Sequence, residues 1–553
     1  MAKIESTSSQ PIAEARGDDT LRTQAHEGKL APVALDMPAP VAPTDFSLDP
    51  YAGGTWDGKP ILGLDGVVEH IDSGRVLDAP SGTITYSFTD LSHLTGLYNN
   101  PNYGFGAPYG FSPFDDAQRD AARASIQLWD DLIPQTFVEK NGIGADIQFG
   151  NSWDPAQAYA YYPINGRGWQ FQSDVFVADP AVNWTNAWLG FGGYGATTLV
   201  HELGHTLGLS HPGNYNYDPD LPLNYANYAE YAQDSEQYTI MSYWGSENTS
   251  FNQYNVDWSS GFYNNPQTPL VHDILTIQAK YGADPTTRAD DTIYGWNSTA
   301  GNAVYDFSQN LFPYLSIYDA GGNDTIDMSG AGVSVYINLH EGAFSSGAAA
   351  IPDASVINEH RAAIREAGYT TLGDVYDTTP AYWASTFMPY YESVNQADTY
   401  YATGVSISGL YTTAVDNISI AYGTIIENAI GSTQRDYLVG NQVDNVLNGM
   451  GGDDVLDGYE GADTLIGGDG ADTFLFHNME MGDTIADFAS GEDTIDLTAL
   501  GFGAFIGNAV FSNSAGEVRF DGGYLSGDID GDGVADFSVH VIGDAVMAAD
   551  LVL

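Results

Sequence analysis

His201, Glu202, His205 and His211 stand in one short stretch, "HELGHTLGLSHP" at 201–212, which holds three of the chain's eleven histidines. His201 and His205 are four residues apart, so on a helix both imidazoles leave one face and can reach one ion. Glu202 follows His201 directly, and from there a carboxylate reaches a water on the metal instead of the metal itself. Gly208 can take a left-handed backbone, end the helix and turn the chain. His211 can then arrive as a third ligand. Three imidazoles leave a zinc ion with an open position, as hydrolytic sites do. The chemistry expected of this set is attack by zinc-activated water, with Glu202 taking the proton.

A second element lies about thirty residues downstream. "YTIMSYW" (238–244) offers Met241 as an apolar floor under the imidazoles and Tyr243 as a phenol near the metal. A lone Met is ordinarily core filler. An H-E-x-x-H-x-x-G-x-x-H run coupled to a later Met-turn is, however, the metzincin signature.

These residues need a scaffold. In "GTITYSFTD" (82–90), Thr83, Thr85, Ser87 and Thr89 alternate with Ile84, Tyr86 and Phe88, a strand pattern. Ser112-Pro113 predicts a helix start, with Asp115 and Asp116 suited to its positive end. Ala122, Ile126, Trp129 and Ile133 space a buried face along that helix. "ADIQFG" (145–150) and "SDVFVA" (173–178) read as further strands, and the Gly-rich "LGFGGYGATT" (189–198) leads into the histidines. The order predicts a mixed sheet with two main helices, ending near residue 280.

Beyond it the texture changes. Asp436, Asn445, Asp454, Asp463 and Asp472 recur every nine residues, and Leu438, Leu447, Leu456, Leu465 and Phe474 follow each by two. Units such as "GMGGDDVLD", "GYEGADTLI" and "GGDGADTFL" approximate G-G-x-G-x-D-x-U-x, the calcium-binding parallel β repeat. Glycines permit the tight turns, carboxylates supply the hard oxygen that calcium prefers, and the apolar beat fills a thin core. The register is imperfect: Gln434 and Arg435 break the consensus at 431–439, and Asn445 takes an Asp place.

Composition agrees with a cation-dependent protein. The 553 residues imply two or more domains. They carry 73 Asp+Glu against 16 Lys+Arg, a formal charge of −57. Such a chain repels phosphates, which excludes nucleic acid as a partner, and repels itself unless salt or divalent cations neutralise it. It has no Cys, so disulfides and thiolate–metal sites are excluded. No run of eighteen apolar residues predicts a membrane span, and the start lacks the apolar core of a secretory signal.

Together, "HELGHTLGLSHP", "IMSYW" and the repeats resemble the serralysin-type metzincins, secreted bacterial zinc endopeptidases, over roughly residues 80–550. Pro212 after His211 separates the stretch from the astacin and matrix-metalloprotease patterns. The resemblance implies one catalytic zinc on His201, His205 and His211, Glu202 as general base, and Tyr243 as a mobile fifth ligand that swings away to stabilise the oxyanion. It implies an α+β metzincin catalytic domain at 80–285, followed at 286–553 by an all-β parallel β-roll of RTX type holding several structural calcium ions. "TRADDTIYG" (287–295) and "DAGGNDTIDMSG" (319–330) resemble the family's first calcium site. Arg288, Asp290 and Thr292 would contribute there, the first and third through carbonyls, with Asp319, Gly321, Gly322 and Asp324. "TIIENAIG" (424–431) adds Glu427. Further along, Asp436, Gly449, Gly451, Asp454, Gly458, Glu460, Asp463, Gly467, Asp469, Asp472, Asp483 and Asp493 are the implied calcium residues. "DIDGDGVADF" (528–537) reads equally as one more calcium loop or as a solvated acidic turn.

Three segments complete the expectation. Residues 1–75, polar and rich in Ala, Pro and Asp, read as a largely flexible leader or pro-segment. Residues 345–418 intervene where the family passes directly onward. Ser355–Ala367 looks helical there, and Tyr369, Tyr376, Tyr382, Trp383, Phe387, Tyr390, Tyr391, Tyr400 and Tyr401 follow, for packing in an inserted subdomain or for binding. Asp550-Leu551-Val552-Leu553 resembles the family's uncleaved C-terminal signal for type I secretion. The resulting picture is an extracellular monomer acting on protein substrates, first met by the secretion machinery. The rival reading is a calcium-dependent adhesive or surface-binding β-roll protein with a lapsed protease domain.

Overall fold

The computed structural model describes residues 48, 50–51, 53–92, 110–142, 144–153, 157–163, 173–216, 223–250, 255–479 and 481–553. Most of the expected leader, residues 1–47, lies outside the described residues.

The N-terminal part is a five-stranded sheet with helices against it. Helix α1 (Leu64–Ile71) precedes strand β1 (Thr83–Ser87), helix α2 (Asp116–Asp130) and strands β2 (Thr136–Glu139), β3 (Ile147–Ser152), β4 (Ala158–Ala160) and β5 (Ser173–Ala178). Helices α3 (Tyr194–Thr206) and α4 (Val271–Tyr281) follow. The sheet order is β2-β1-β3-β5-β4, parallel except for the final pair. Strands β3 and β5 are buried throughout, as central parallel strands covered by helices must be, and the antiparallel edge strand β4 is buried as well.

Helix α2 starts at Asp116, later than Ser112-Pro113 suggests. The cause is a capping box: the Asp115 carboxylate accepts from Gln118 N at 2.8 Å, and Gln118 Oε1 accepts from Asp115 N at 3.1 Å. Ser112 instead pairs with Asn151 beside the sheet. Ala122, Ile126 and Trp129 are buried on α2, while Ile133 is buried beyond the helix end.

The C-terminal part is built mainly on short parallel strands in two stacks, with a three-stranded sheet of Leu315–Ile317, Ile418–Ile420 and Phe344–Ser345 beside them and antiparallel strands at 517–543 extending one stack. One stack runs through Ile293–Gly295, Thr325–Asp327, Asn428–Ile430, Val446–Asn448, Thr464–Ile466 and Met481–Phe488. The other runs through Tyr336–Asn338, Tyr437–Val439, Val455–Asp457, Thr473–Leu475, Thr494–Asp496 and Leu551–Val552. Tyr437 pairs with Val455 and Val446 with Thr464, so each nine-residue unit is half a turn and successive units feed opposite stacks. The middle residue of each strand points inward: Leu438, Leu447, Leu456, Leu465 and Phe474 are all buried between the stacks. One contiguous core runs from Val67 to Val546 through both parts.

Two helices leave the second part as an excursion, α5 (Ala354–Ala367) and the 25-residue α6 (Thr379–Thr403). Gly368 closes α5 at φ +134. The aromatic run mostly packs. Trp383 and Phe387 meet Trp258 with ring centroids 5.3 and 4.9 Å apart, and Tyr369 stacks on Trp184 at 5.1 Å. Tyr376 and Tyr382 are exposed.

Residues 53–75 depart from the expected flexible leader. Val67 and Ile71 on α1 are fully buried, because a helix with an apolar face is held wherever that face finds a core. Beyond it, Ser73 N donates to Gly208 O, Ser210 N donates to Ile71 O at 2.6 Å, and Lys280 forms an ion pair with Asp72. Leu48 N donates to the Tyr238 hydroxyl at 2.8 Å. The stretch is part of the folded body. Removing residues 1–75 is therefore expected to lower the melting temperature by about 5 °C or more relative to removing residues 1–47, which differential scanning calorimetry of the two truncations would measure.

Candidate active site

Helix α3 is buried on nearly every side, so its two histidines face protein and not solvent. It ends where Gly208, at φ +93, turns the chain. A Cβ on Gly208 would lie 2.0 Å from the Arg75 carbonyl oxygen, so both the backbone angle and the packing require glycine. The turn brings His211 opposite the helix. His205 Nε2 then lies 3.2 Å from His211 Nε2, and His211 Nε2 lies 3.4 Å from His201 Nε2.

The other ring nitrogens decide what meets there. His201 Nδ1 bonds to Ile240 O at 2.7 Å and His205 Nδ1 to Leu209 O at 2.8 Å. His211 Nδ1 bonds to Tyr215 O at 3.0 Å, with Asn216 Oδ1 at 3.1 Å. A carbonyl only accepts, so each Nδ1 carries the hydrogen and each Nε2 a lone pair. Burial lowers the His201 pKa to about 4, which keeps the ring neutral. Three lone pairs facing one another repel unless a cation lies between them. Two ligands at 2.0–2.1 Å from a tetrahedral zinc stand about 3.3 Å apart, so the donor set fits that ion.

Glu202 is fully buried, and neither carboxyl oxygen has a hydrogen-bond partner among the described residues. Burial pushes its pKa well above the ordinary carboxylate value. An acceptor of that kind beside three imidazole lone pairs suits proton transfer from a water.

The Met-turn holds the site from below. Asp273, in the first turn of α4, accepts from Ile240 N at 2.7 Å, Leu270 N at 2.8 Å and the Thr239 hydroxyl at 2.5 Å. Ile240 O in turn holds His201. Met241 packs under α3 so closely that a Cβ on Gly204 would lie 2.7 Å from its sulfur. Asp234 accepts from Tyr215, Ser242 and Trp244. Tyr215 stacks on His211 with centroids 5.6 Å apart, and the Tyr243 ring lies 4.5 Å from that of His211. Burial raises both Asp234 and Asp273 to about 7. Sequence reading missed Asp234, Asp273, Tyr215 and Asn216. Only Asp273 carried a local signal, as an acid in the first turn of a helix after Thr268-Pro269.

The expected calcium residues gather in two places. In the first, Thr292 N donates to Asp324 Oδ1 at 2.7 Å, Asp324 N to Glu427 Oε2 at 2.7 Å, and the Tyr294 hydroxyl to Asp319 at 2.6 Å. Gly321 N bonds to Asp319, and Gly322 lies against Asp290 O and Asp324 Oδ1. The Arg288 side chain points elsewhere, pairing with Asp131 at 2.6 Å, which leaves only its carbonyl near Thr292. Burial, with Asp319 and Glu427 nearby, raises Asp324 to about 7. Its Oδ2 is buried with no partner among the described residues.

In the second place, the Asp side chains form two ladders. Asp436 N donates to Asp454 Oδ1, Asp454 N to Asp472 Oδ1, and Asp472 N to Asp493 Oδ1, at 2.8 to 3.0 Å. Asn445 N donates to Asp463 Oδ1 and Asp463 N to Asp483 Oδ1. Gly449, Gly458 and Gly467 lie against Asp454, Asp463 and Asp472, with a built Cβ only 2.2 to 2.3 Å from a carboxylate oxygen. Gly451 bridges Asp469, and Glu460 N bonds to Asn441 O. Asp454 Oδ2 and Asp472 Oδ2 are buried without a partner among the described residues. Asp436 differs: Ser432 and Val335 N already satisfy its carboxylate. The degenerate turn thus needs no cation for Asp436.

Burial raises Asp436 to about 7, Asp454 to about 8 and Asp472 to about 6. Folded values above unfolded ones favour the folded state below the ordinary carboxylate pKa and lose that contribution as pH climbs through 6–8. In chelator, the melting temperature is expected to fall between pH 5 and pH 8. With calcium present the fall should disappear, which paired thermal melts would show.

A family profile described as Peptidase M10 serralysin C terminal matches residues 283–366 and 403–553. The chain is 34% identical to metallopeptidase AprA of Pseudomonas marginalis over 525 residues, covering 89% of this chain and 92% of that relative. It is 34% identical to a serralysin of Photorhabdus luminescens, covering 80% of each. It is 32% identical to serralysin G of Dickeya chrysanthemi, covering 90% of this chain and 88% of that relative.

Proposed function

The chain belongs to the serralysin family of metalloproteases, and on that premise we propose that it is a zinc-dependent endopeptidase working through His201, Glu202, His205, His211 and Tyr243. The observation that carries this reading is the convergence of three imidazole lone pairs at 3.2 and 3.4 Å, with each opposite nitrogen committed to a carbonyl.

Held by these imidazoles, zinc supplies Lewis acidity toward water and the scissile carbonyl. Glu202 accepts the proton of the attacking water. Its raised affinity for that proton suits holding it and then passing it to the leaving amine. The Tyr243 phenol, beside His211, donates to the oxygen on which negative charge develops. Asp273 and Met241 act by fixing His201 and helix α3. Asp234 acts by fixing Tyr215 against His211.

The two stacks are read as a calcium β-roll. The stranded oxygens of Asp324, Asp454 and Asp472 support it, and the expected calcium residues of both clusters, Asp436 excepted, are its proposed ligands. Among the described residues no helix is long and apolar enough to cross a membrane. Export by type I secretion, with folding by external calcium, agrees with the family and with a charge of −57. The boundaries follow the same reading: catalytic residues to about 285, then the roll with its helical excursion. The adhesive alternative is not favoured, because every residue that hydrolysis needs is in place.

Glu202→Ala is expected to lower casein hydrolysis by about 10³-fold or more while one zinc per chain is retained. Full activity in that variant would remove Glu202 as the base. A silent wild type with zinc bound would favour the adhesive reading.

A further inference from the structure

Helix α5 of the excursion ends on a set of aromatic rings that the reaction itself does not use. Trp184, Trp188, Phe262 and Tyr369 close a square. Trp184 stacks on Trp188 with centroids 6.4 Å apart, Trp188 meets Phe262 at 5.4 Å, Phe262 meets Tyr369 at 5.5 Å, and Tyr369 stacks on Trp184 at 5.1 Å. Tyr369 belongs to the excursion and the other three rings to the N-terminal half. Its place is fixed by its neighbours. On α5, His360 Nδ1 donates to Ser259 O at 3.2 Å and Arg361 Nη1 to Ser260 O at 2.8 Å. Gly368 is pressed so closely on Trp184 that a Cβ there would stand 2.4 Å from the Trp184 Cβ.

Rings gathered only to fill a core are closed off from water. All four residues here stay partly exposed, and Phe191, on the same loop as Trp188, is 41% exposed. An apolar patch left open on a strongly charged chain marks a place where another molecule lands. Its position says which molecule. Trp188 packs against the group containing Tyr194, Tyr215, Tyr243 and Trp244, and the Tyr243 ring lies 4.5 Å from that of His211. Trp188 O also accepts from Gly195 N and Ala196 N, in the first turn of α3. Tyr194, the first residue of α3, precedes His201 by about two turns, or about 10 Å. The patch is therefore continuous, through packed aromatic side chains, with the ring that flanks the histidines. A peptide held there in extended form advances about 3.3 Å per residue.

We propose that Trp184, Trp188, Phe262 and Tyr369 form a remote substrate subsite, completed by the excursion, which takes an apolar or aromatic side chain about three to five places from the cleaved bond. The family profile matches 283–366 and 403–553 and passes over Tyr369, so this ring is the chain's own addition. The subsite rests on the protease reading and gives that activity a preference.

The test is kcat/KM of the full chain on internally quenched peptides that share one core, chosen from the bonds it cuts in casein. Each peptide carries about five further residues on one side of the core, with Phe or Ala at the third, fourth or fifth place from the cleaved bond. The readout is the Phe-to-Ala ratio at one place, from which any change in catalytic power cancels. Wild type is expected to prefer Phe by about tenfold at one of these places, as burial of one apolar side chain warrants. Tyr369→Ala should abolish the preference, mainly through KM, and Tyr369→Phe should keep it. Tyr369→Leu, which retains an apolar contact with Trp184, replaces Tyr369→Ala if that variant does not fold. No preference in wild type overturns the subsite. A preference that survives loss of the ring, or that disappears in Tyr369→Phe as well, also overturns it. A wild type with zinc bound that cuts no bond in casein removes the protease reading, and this inference with it.

Discussion

The lone pairs of His201, His205 and His211 meet because the far nitrogen of each ring is tied to a backbone carbonyl. That restraint fixes the tautomer, the ring direction and the neutral state together. The rest of the N-terminal half can be understood from it. Ile240 O must be held to hold His201, so the Met-turn is anchored by Asp273. Leu209 O must face back toward the helix, so the chain has to reverse at Gly208, pressed against the segment around Arg75. Tyr215 O must reach His211, so its ring is fixed by Asp234. Removing any one of these ties frees a ring without deleting a ligand.

The second half of the molecule meets the same problem with oxygen in place of nitrogen. Asp324, Asp454 and Asp472 each keep one buried oxygen with no partner among the described residues, beside others of like sign. Burial raises their proton affinity because an uncompensated anion is costly in the interior. Where a turn has lost the repeat, the chain compensates with its own donors, as Ser432 does for Asp436. The number of uncompensated buried oxygens therefore differs from turn to turn.

Much of this was legible in the sequence, for a physical reason. Ligand spacing on a helix and a nine-residue period are local facts, and local facts survive in one dimension. His201, His205 and His211 needed only a helix and a glycine to meet. Leu438 to Phe474 needed only a repeating turn. Asp234 and Asp273 act on groups whose approach no spacing encodes, so Asp234 reads as an ordinary acid and Asp273 only as a first-turn acid of its own helix. Helix α1 was hidden by its polar surroundings, because its burial depends on the loop at 208–211 and on α4. The long helix α6 was hidden by its tyrosines, which are indifferent helix formers, and by an internal Pro389.

The strand step of the repeats has an exception. Neighbours in a stack are usually 18 residues apart, yet Val335 N bonds to the Asp436 carboxylate across 101 residues, and Tyr336 still pairs with Tyr437 in step. Pairing reads only the arrival of a strand about 4.8 Å from its neighbour, not the path taken to get there, and closure entropy grows slowly with path length. A spine of this kind works as a chassis with open ports. Any hairpin of helices whose two ends return side by side can be seated at a corner between strands without disturbing the alignment above or below. Such a scaffold gains new modules by grafting at its corners and keeps its catalytic half untouched.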